Sequence, residues 1–138
     1  MKRNVIMVTL VLAVGFAVGL IVSQVLNAQQ QAVKSAVVLK ADLVGIEGKY
    51  VVIVSTELPP GELAKKHYHP GHQFGYVLEG SMIMEIEGKP PITYKPGDTF
   101  YLTPNQVHDA KNVSTTAPVK VLGFSIAEKG QPLSVPVK

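Results

Sequence analysis

The four histidines of this chain, His67, His69, His72 and His108, are the side chains whose type and spacing can do chemistry. His67-Tyr68-His69 lies in a segment of strand character, and residues two apart on a strand point to the same face. Two imidazoles on one face can share a divalent transition metal, as His-x-x-x-His does on a helix. Alone, His-x-His is a weak signal, because the pattern arises by chance. The chain has no cysteine, which excludes thiolate ligands, a cysteine nucleophile and a disulfide framework. No Gly-rich phosphate loop, nucleophile elbow or triad spacing is present either.

The elements that must position these histidines read as strands. The chain is 46% hydrophobic and 17% charged, enough to bury a core, and its 12 Gly and 10 Pro imply many turns and short strands. No helical period is convincing after Gln31. Apolar runs instead recur between turn signals at intervals of roughly 8–12 residues, the spacing of a sandwich or barrel. Val37-Val38-Leu39, Leu43 to Ile46, and Tyr50 to Leu58 are the first candidates. Phe74 to Glu79 and Met82 to Glu87 flank Gly80-Ser81, which reads as a tight hairpin connection. Ile92 to Tyr94, Thr99 to Leu102, Val107 to Ala110 and Val119 to Ile126 bring the expected total to about nine strands. Met82, Met84 and Ile86 alternate with Glu85 and Glu87, giving one dry and one wet face. Asp98 reads as a turn residue, Glu79 as a barrel-end charge and Asp109 as exposed.

The stretch from Gly61 to Gly80 resembles the first motif of the cupin superfamily, with Gly61, His67, His69 and Gly80 in matching positions. Gln73 stands where that family usually has a glutamate ligand. The stretch from Pro96 to Asn112 resembles the second motif, with His108 and Asn112 at the expected offsets from Gly97. Asn105 replaces a common second Gly, a mild exchange because Asn tolerates positive φ. The resemblance covers about residues 40 to 126. It implies an all-β jelly-roll barrel in which His67, His69, residue 73 and His108 converge on one divalent transition metal ion, with Fe, Mn, Ni, Zn, Cu and Co not distinguished.

A neutral Gln73 beside three imidazoles would leave the metal centre at formal charge +2. That favours a bound anion and lowers the pKa of bound water, at some cost in metal affinity. Three readings of Gln73 stay open: ligation through its amide oxygen, withdrawal behind a three-His site, or a barrel that has lost metal. His72 is read as a rim histidine, or as a proton shuttle or further ligand if Pro70-Gly71 turns it inward. Met82 and Phe100 are read as core, or as wall of the pocket. Two functions follow: a metalloenzyme of oxygenase or isomerase type acting on a small enol, keto or phenolic molecule, or a non-catalytic module that binds a small ligand or a metal.

Lys2 and Arg3 precede an apolar run from Val5 to Leu26, and polar residues follow from Asn27. This order reads as a signal peptide with Ala28 before the cut, or as an uncleaved anchor, since about 20 apolar residues can span a bilayer. Either places the domain outside the cytoplasm, periplasmic, extracellular or anchored on the outer membrane face. Removing Lys2 and Arg3 leaves 11 basic against 10 acidic side chains, with no basic stripe, which argues against nucleic acid. The expected organisation is 1–28 export segment, 29–36 linker, 37–130 barrel and 131–138 tail along an edge. Contact with a membrane is expected only through residues 5–26, and a homodimer through edge strands is compatible with this plan.

Overall fold

The computed structural model describes residues 32–137, so the segment read as an export signal or anchor lies outside the described residues. Ten strands and no helix occur among those described. They are β1 (Lys34–Asp42), β2 (Lys49–Leu58), β3 (Leu63–Tyr68), β4 (His72–Glu79), β5 (Met82–Ile86), β6 (Ile92–Tyr94), β7 (Thr99–Leu102), β8 (His108–Asn112), β9 (Val119–Glu128) and β10 (Val135–Pro136). One sheet runs β1-β2-β9-β4-β7 and the other β10-β3-β8-β5-β6, with every pairing antiparallel.

The alternation in the sequence decides what each sheet buries. Met82, Met84 and Ile86 of β5 turn inward while Glu85 stays exposed. Val77 of β4, Phe100 and Leu102 of β7, and Val119 and Val121 of β9 meet them from the opposite sheet in one core cluster. Burial of such side chains stabilises by roughly 1.5–3 kcal/mol each. The surface ion pairs Lys49–Glu128 (2.6 Å) and Lys120–Glu79 (3.0 Å) sit on the outside and add little.

Four expectations from the sequence are corrected. Leu43 to Ile46 is not a strand. It forms the β1–β2 turn, closed by Leu43 N–H to Lys49 O (3.1 Å), with Gly45 at φ 81° and Gly48 at φ 75°. β1 itself starts at Lys34, inside the segment read as linker, because its residues pair with β2 from Lys34↔Glu57 onward.

Gly80-Ser81 is not a hairpin connection, since β4 and β5 belong to different sheets. A two-residue hairpin would place Glu79 opposite Met82 on one face. Glu79 is exposed and Met82 is buried, so the chain crosses between sheets instead.

Asp109, expected to be exposed, is buried at 9% exposure. β8 is a central strand, between β3 and β5, and four of its five residues are buried.

Asn112 ties the fold together. It is 1% exposed. Its amide nitrogen donates to the carbonyls of Leu58 (3.0 Å), Pro59 (3.0 Å) and Ala117 (2.9 Å), and its amide oxygen accepts from Ser114 N–H (2.9 Å). One side chain thus joins the end of β2 to the loop before β9. Asn112→Ala strands these groups, and urea denaturation is expected to show a loss of about 2–4 kcal/mol.

Candidate metal centre

β3 is bulged between Ala64 and His67, and beyond the bulge His67 stands directly across from His108 on β8. Directly opposed residues share a face, so both rings point between the sheets. Their centroids lie 4.3 Å apart. His69 follows just after the end of β3, its ring 5.0 Å from that of His67 and 5.3 Å from that of His108. Asn105 N–H holds the His69 carbonyl at 2.8 Å, and Asn105 adopts φ 63°, the positive φ that the sequence reading allowed for.

The ligand atoms of the three histidines lie within 4.8 Å of one another. Two nitrogens sharing one ion at about 2.1 Å in tetrahedral geometry stand about 3.4 Å apart, so nitrogens at the 4.8 Å limit would draw in by about 1.4 Å as the ion binds.

Each Nδ1 contacts a backbone carbonyl: His67 to Lys65 O (2.7 Å), His69 to Leu133 O (2.6 Å) and His108 to Gln106 O (3.0 Å). A carbonyl can only accept, so each Nδ1 donates, and in a neutral ring so bonded the lone pair sits on Nε2. That is the outer arrangement which orients metal-binding imidazoles.

Gln73 lies on β4 in the facing sheet, opposite Leu102 and Ser125. Its amide nitrogen packs 3.5 Å from where a Cβ on Gly123 would sit, an ordinary van der Waals distance. His69 Nε2 and Gln73 Oε1 are both buried without a hydrogen-bond partner. Two orphaned electron-pair donors in one apolar cavity are costly unless a cation or donor meets them. The residues present therefore fit a divalent metal ion.

The cavity, about 350 Å3, contains His67, His69, Gln73 and His108 together. Met82 and Phe100 form part of its wall. His72 does not line it: the ring lies on the outer face, stacked on Tyr101 at 6.0 Å, with Nδ1 2.7 Å from the Tyr101 hydroxyl. Alternation on β4 sends neighbours Gln73 and His72 to opposite sides. Asp98 accepts from Lys95 N–H at 2.7 Å, as a turn residue does. Sequence reasoning missed Leu133 and Ser134, which also line the cavity. No local pattern in the tail marks them.

Burial is the largest influence on His69 and lowers its pKa from 6.5 to about 4; the Leu133 carbonyl opposes this, and the neighbouring His67 and His108 add to it. Burial likewise lowers His108, against the Gln106 carbonyl. Both rings stay neutral at pH 7, as ligation requires. A folded pKa below the unfolded one means that the unfolded chain binds more protons between the two values. Stability of the metal-free protein is then complete above pH 6.5 and falls as pH drops through about 4. Urea titrations across that window are expected to show a loss of up to about 3 kcal/mol.

Two facing antiparallel sheets with inward imidazoles from adjacent strands define a small β-sandwich barrel with an internal metal-type pocket. Comparison with known proteins places it further. The cupin-domain family model matches residues 54–125, and the chain belongs to the cupin family. It is 40% identical over 63 residues to quercetin 2,3-dioxygenase of Bacillus subtilis, covering 45% of this chain and 18% of that protein. It is 32% identical over 57 residues to the tetracenomycin polyketide synthase protein TcmJ of Streptomyces glaucescens, covering 41% and 38%. The chain thus matches well under half the length of these curated relatives. A Klebsiella pneumoniae protein described as uncharacterized, with a double-stranded β-helix domain, superposes with TM-score 0.62 at 22% identity, covering 80% of this chain and 88% of that one. At that identity the likeness concerns the fold.

Proposed function

We propose that the chain holds one divalent transition metal ion with His67, His69, His108 and the amide oxygen of Gln73, and uses it as an enzyme on a small oxygen-rich molecule of enol, keto or phenolic type. The observation that carries this reading is the pair of orphaned donors, His69 Nε2 and Gln73 Oε1, in the cavity that also contains His67 and His108. Such an ion supplies Lewis acidity toward oxygen ligands and stabilises their anionic forms. The chain's own residues do the rest. Met82, Met84, Phe100 and Val121 give the cavity apolar walls that exclude water and take the carbon skeleton. Ser125 and Thr56 add hydroxyls that can orient a polar edge. The volume lies at the small end of small-molecule sites, which run about 300–1,000 Å3. The names of the Bacillus and Streptomyces relatives, a quercetin dioxygenase and a polyketide synthase protein, support an oxygen-rich substrate.

A second reading, a binder without catalysis, is favoured by one observation: among the described residues no Asp, Glu or Lys lines the cavity. A panel of diketones, phenols and keto acids separates the two. Turnover that disappears on chelation supports the enzyme, and saturable binding without turnover supports the binder. Neither turnover nor binding would overturn both.

Gln73→Glu supplies a carboxylate where an amide stood. It is expected to tighten divalent-ion affinity by roughly tenfold or more and to weaken binding of an anionic ligand, both read by calorimetric titration. Loss of ion affinity in that variant would count against Gln73 as a ligand. Placement outside the cytoplasm, by a cleaved signal or an outer-face anchor, belongs to this proposal on the strength of Lys2-Arg3 and the run to Leu26. Protease accessibility in intact cells, against spheroplasts and lysed cells, tests it.

A further inference from the structure

The three imidazoles are oriented by different kinds of contact. His67 and His108 each bond a carbonyl two residues back in their own segment. Their rings are therefore set by local geometry and by the β3–β8 ladder. His69 lies past the end of β3 and bonds Leu133 O, a partner 64 residues away. Its ring orientation is decided by whatever holds Leu133.

Leu133 is held by a segment that passes from one sheet to the other. After β9 the chain turns at Gly130 (φ 85°), with Lys129 N–H bonded to Gly48 O at 2.8 Å. The Leu133 side chain packs against the cluster of Tyr50, Val52 and Ala127, which belongs to the first sheet. Two residues on, the chain adds to the open edge of β3 in the second sheet, pairing Val135↔Tyr68 and Pro136↔His67. Val137 N–H closes the ladder on Lys66 O at 3.0 Å. Leu133 and Ser134, between these two anchors, line the cavity.

We propose that residues 131–137 form a strap that completes the metal centre, with Leu133 as a positioning residue that fixes the orientation and tautomer of His69. The inference rests on the metal-site reading above. The strap's hold on β3 is a short edge ladder, so it can be loosened without disturbing the two sheets. Pro136 cannot donate, which makes the Val137 N–H the terminal bond of that ladder.

Val137→Pro in the full chain removes that N–H, and Val137→Ala keeps it. Leu133→Gly keeps the carbonyl but removes its apolar anchor. In the metal-free protein, 15N ring correlations are expected to show His69 as the Nδ1–H tautomer in the native chain and in Val137→Ala. In Val137→Pro and Leu133→Gly a tautomer mixture is expected for His69, while His67 and His108 keep theirs. Cobalt(II) titration is expected to show a roughly 10- to 100-fold weaker affinity in the same two variants, the range of losing an outer partner of a metal-binding His. An unchanged His69 tautomer in both variants would overturn the strap. A shifted tautomer in a chain that binds no cobalt(II) even in native form would uphold the positioning and overturn the metal site alone.

Discussion

Replacing His108 by alanine is expected to weaken divalent-ion binding by roughly 100- to 1,000-fold while the sheets stay folded. The magnitude follows from sharing a structural-site binding free energy of roughly 10–16 kcal/mol among four ligands. His108 is the most telling of the three to remove. Its ring is 4% exposed and lies 4.3 Å from His67, and its strand stands between β3 and β5. Nothing else in the cavity can take its place, since no carboxylate lines it among the described residues. The fold should survive because β8 keeps its ladders and Asn112 its bonds. Competition titration reads the affinity, and far-UV circular dichroism checks the sheets. Equal affinity in His108→Ala would remove that residue from the ligand set.

Gly71→Ala is expected to cost about 3 kcal/mol or more, above the usual range for overpacking. A Cβ there would lie 2.2 Å from Ile126 O and 3.1 Å from the Ala127 Cα. Both are backbone atoms of β9, and they cannot swing aside. The clash falls where β4 joins β9 at His72↔Ile126, next to Gln73, so the strand carrying the amide is pushed off its neighbour. Gly75→Ala offers a graded comparison. Its Cβ would meet the Phe100 ring at 2.0 Å, but a side chain can move, and the expected cost is about 1–3 kcal/mol. Urea midpoints should therefore rank Gly71→Ala as the more damaging. The reverse order would mean that the β4–β9 contact is softer than the spacing indicates.

The pocket was legible because its histidines fall in two short stretches that resemble the cupin motifs. His67 and His69 belong to the first stretch, and His108 and Asn112 to the second. Gln73 was legible as a departure from the pattern, and the structure brings it to the same cavity as the histidines. The Leu133 contact was invisible, because it joins segments 64 residues apart and uses a backbone carbonyl, which leaves no mark on residue type. The misread Gly80-Ser81 connection is different. Its clue was present in the pattern, since Glu79 and Met82 demand opposite environments and a paired hairpin would give them one face. Leu43 to Ile46 misled because an apolar run was read as a strand while Gly45 and Gly48 were the residues that fixed the turn. Asp109 was misjudged because the outer face of a central strand can be covered by neighbours that sequence order does not reveal.

Anomalous X-ray diffraction from crystals grown with cobalt(II) tests the metal centre most directly. The site described here predicts one strong peak per chain, about 2.1 Å from the Nε2 atoms of His67, His69 and His108. A peak lying elsewhere, or those three Nε2 atoms facing an empty cavity at saturating ion, would contradict it.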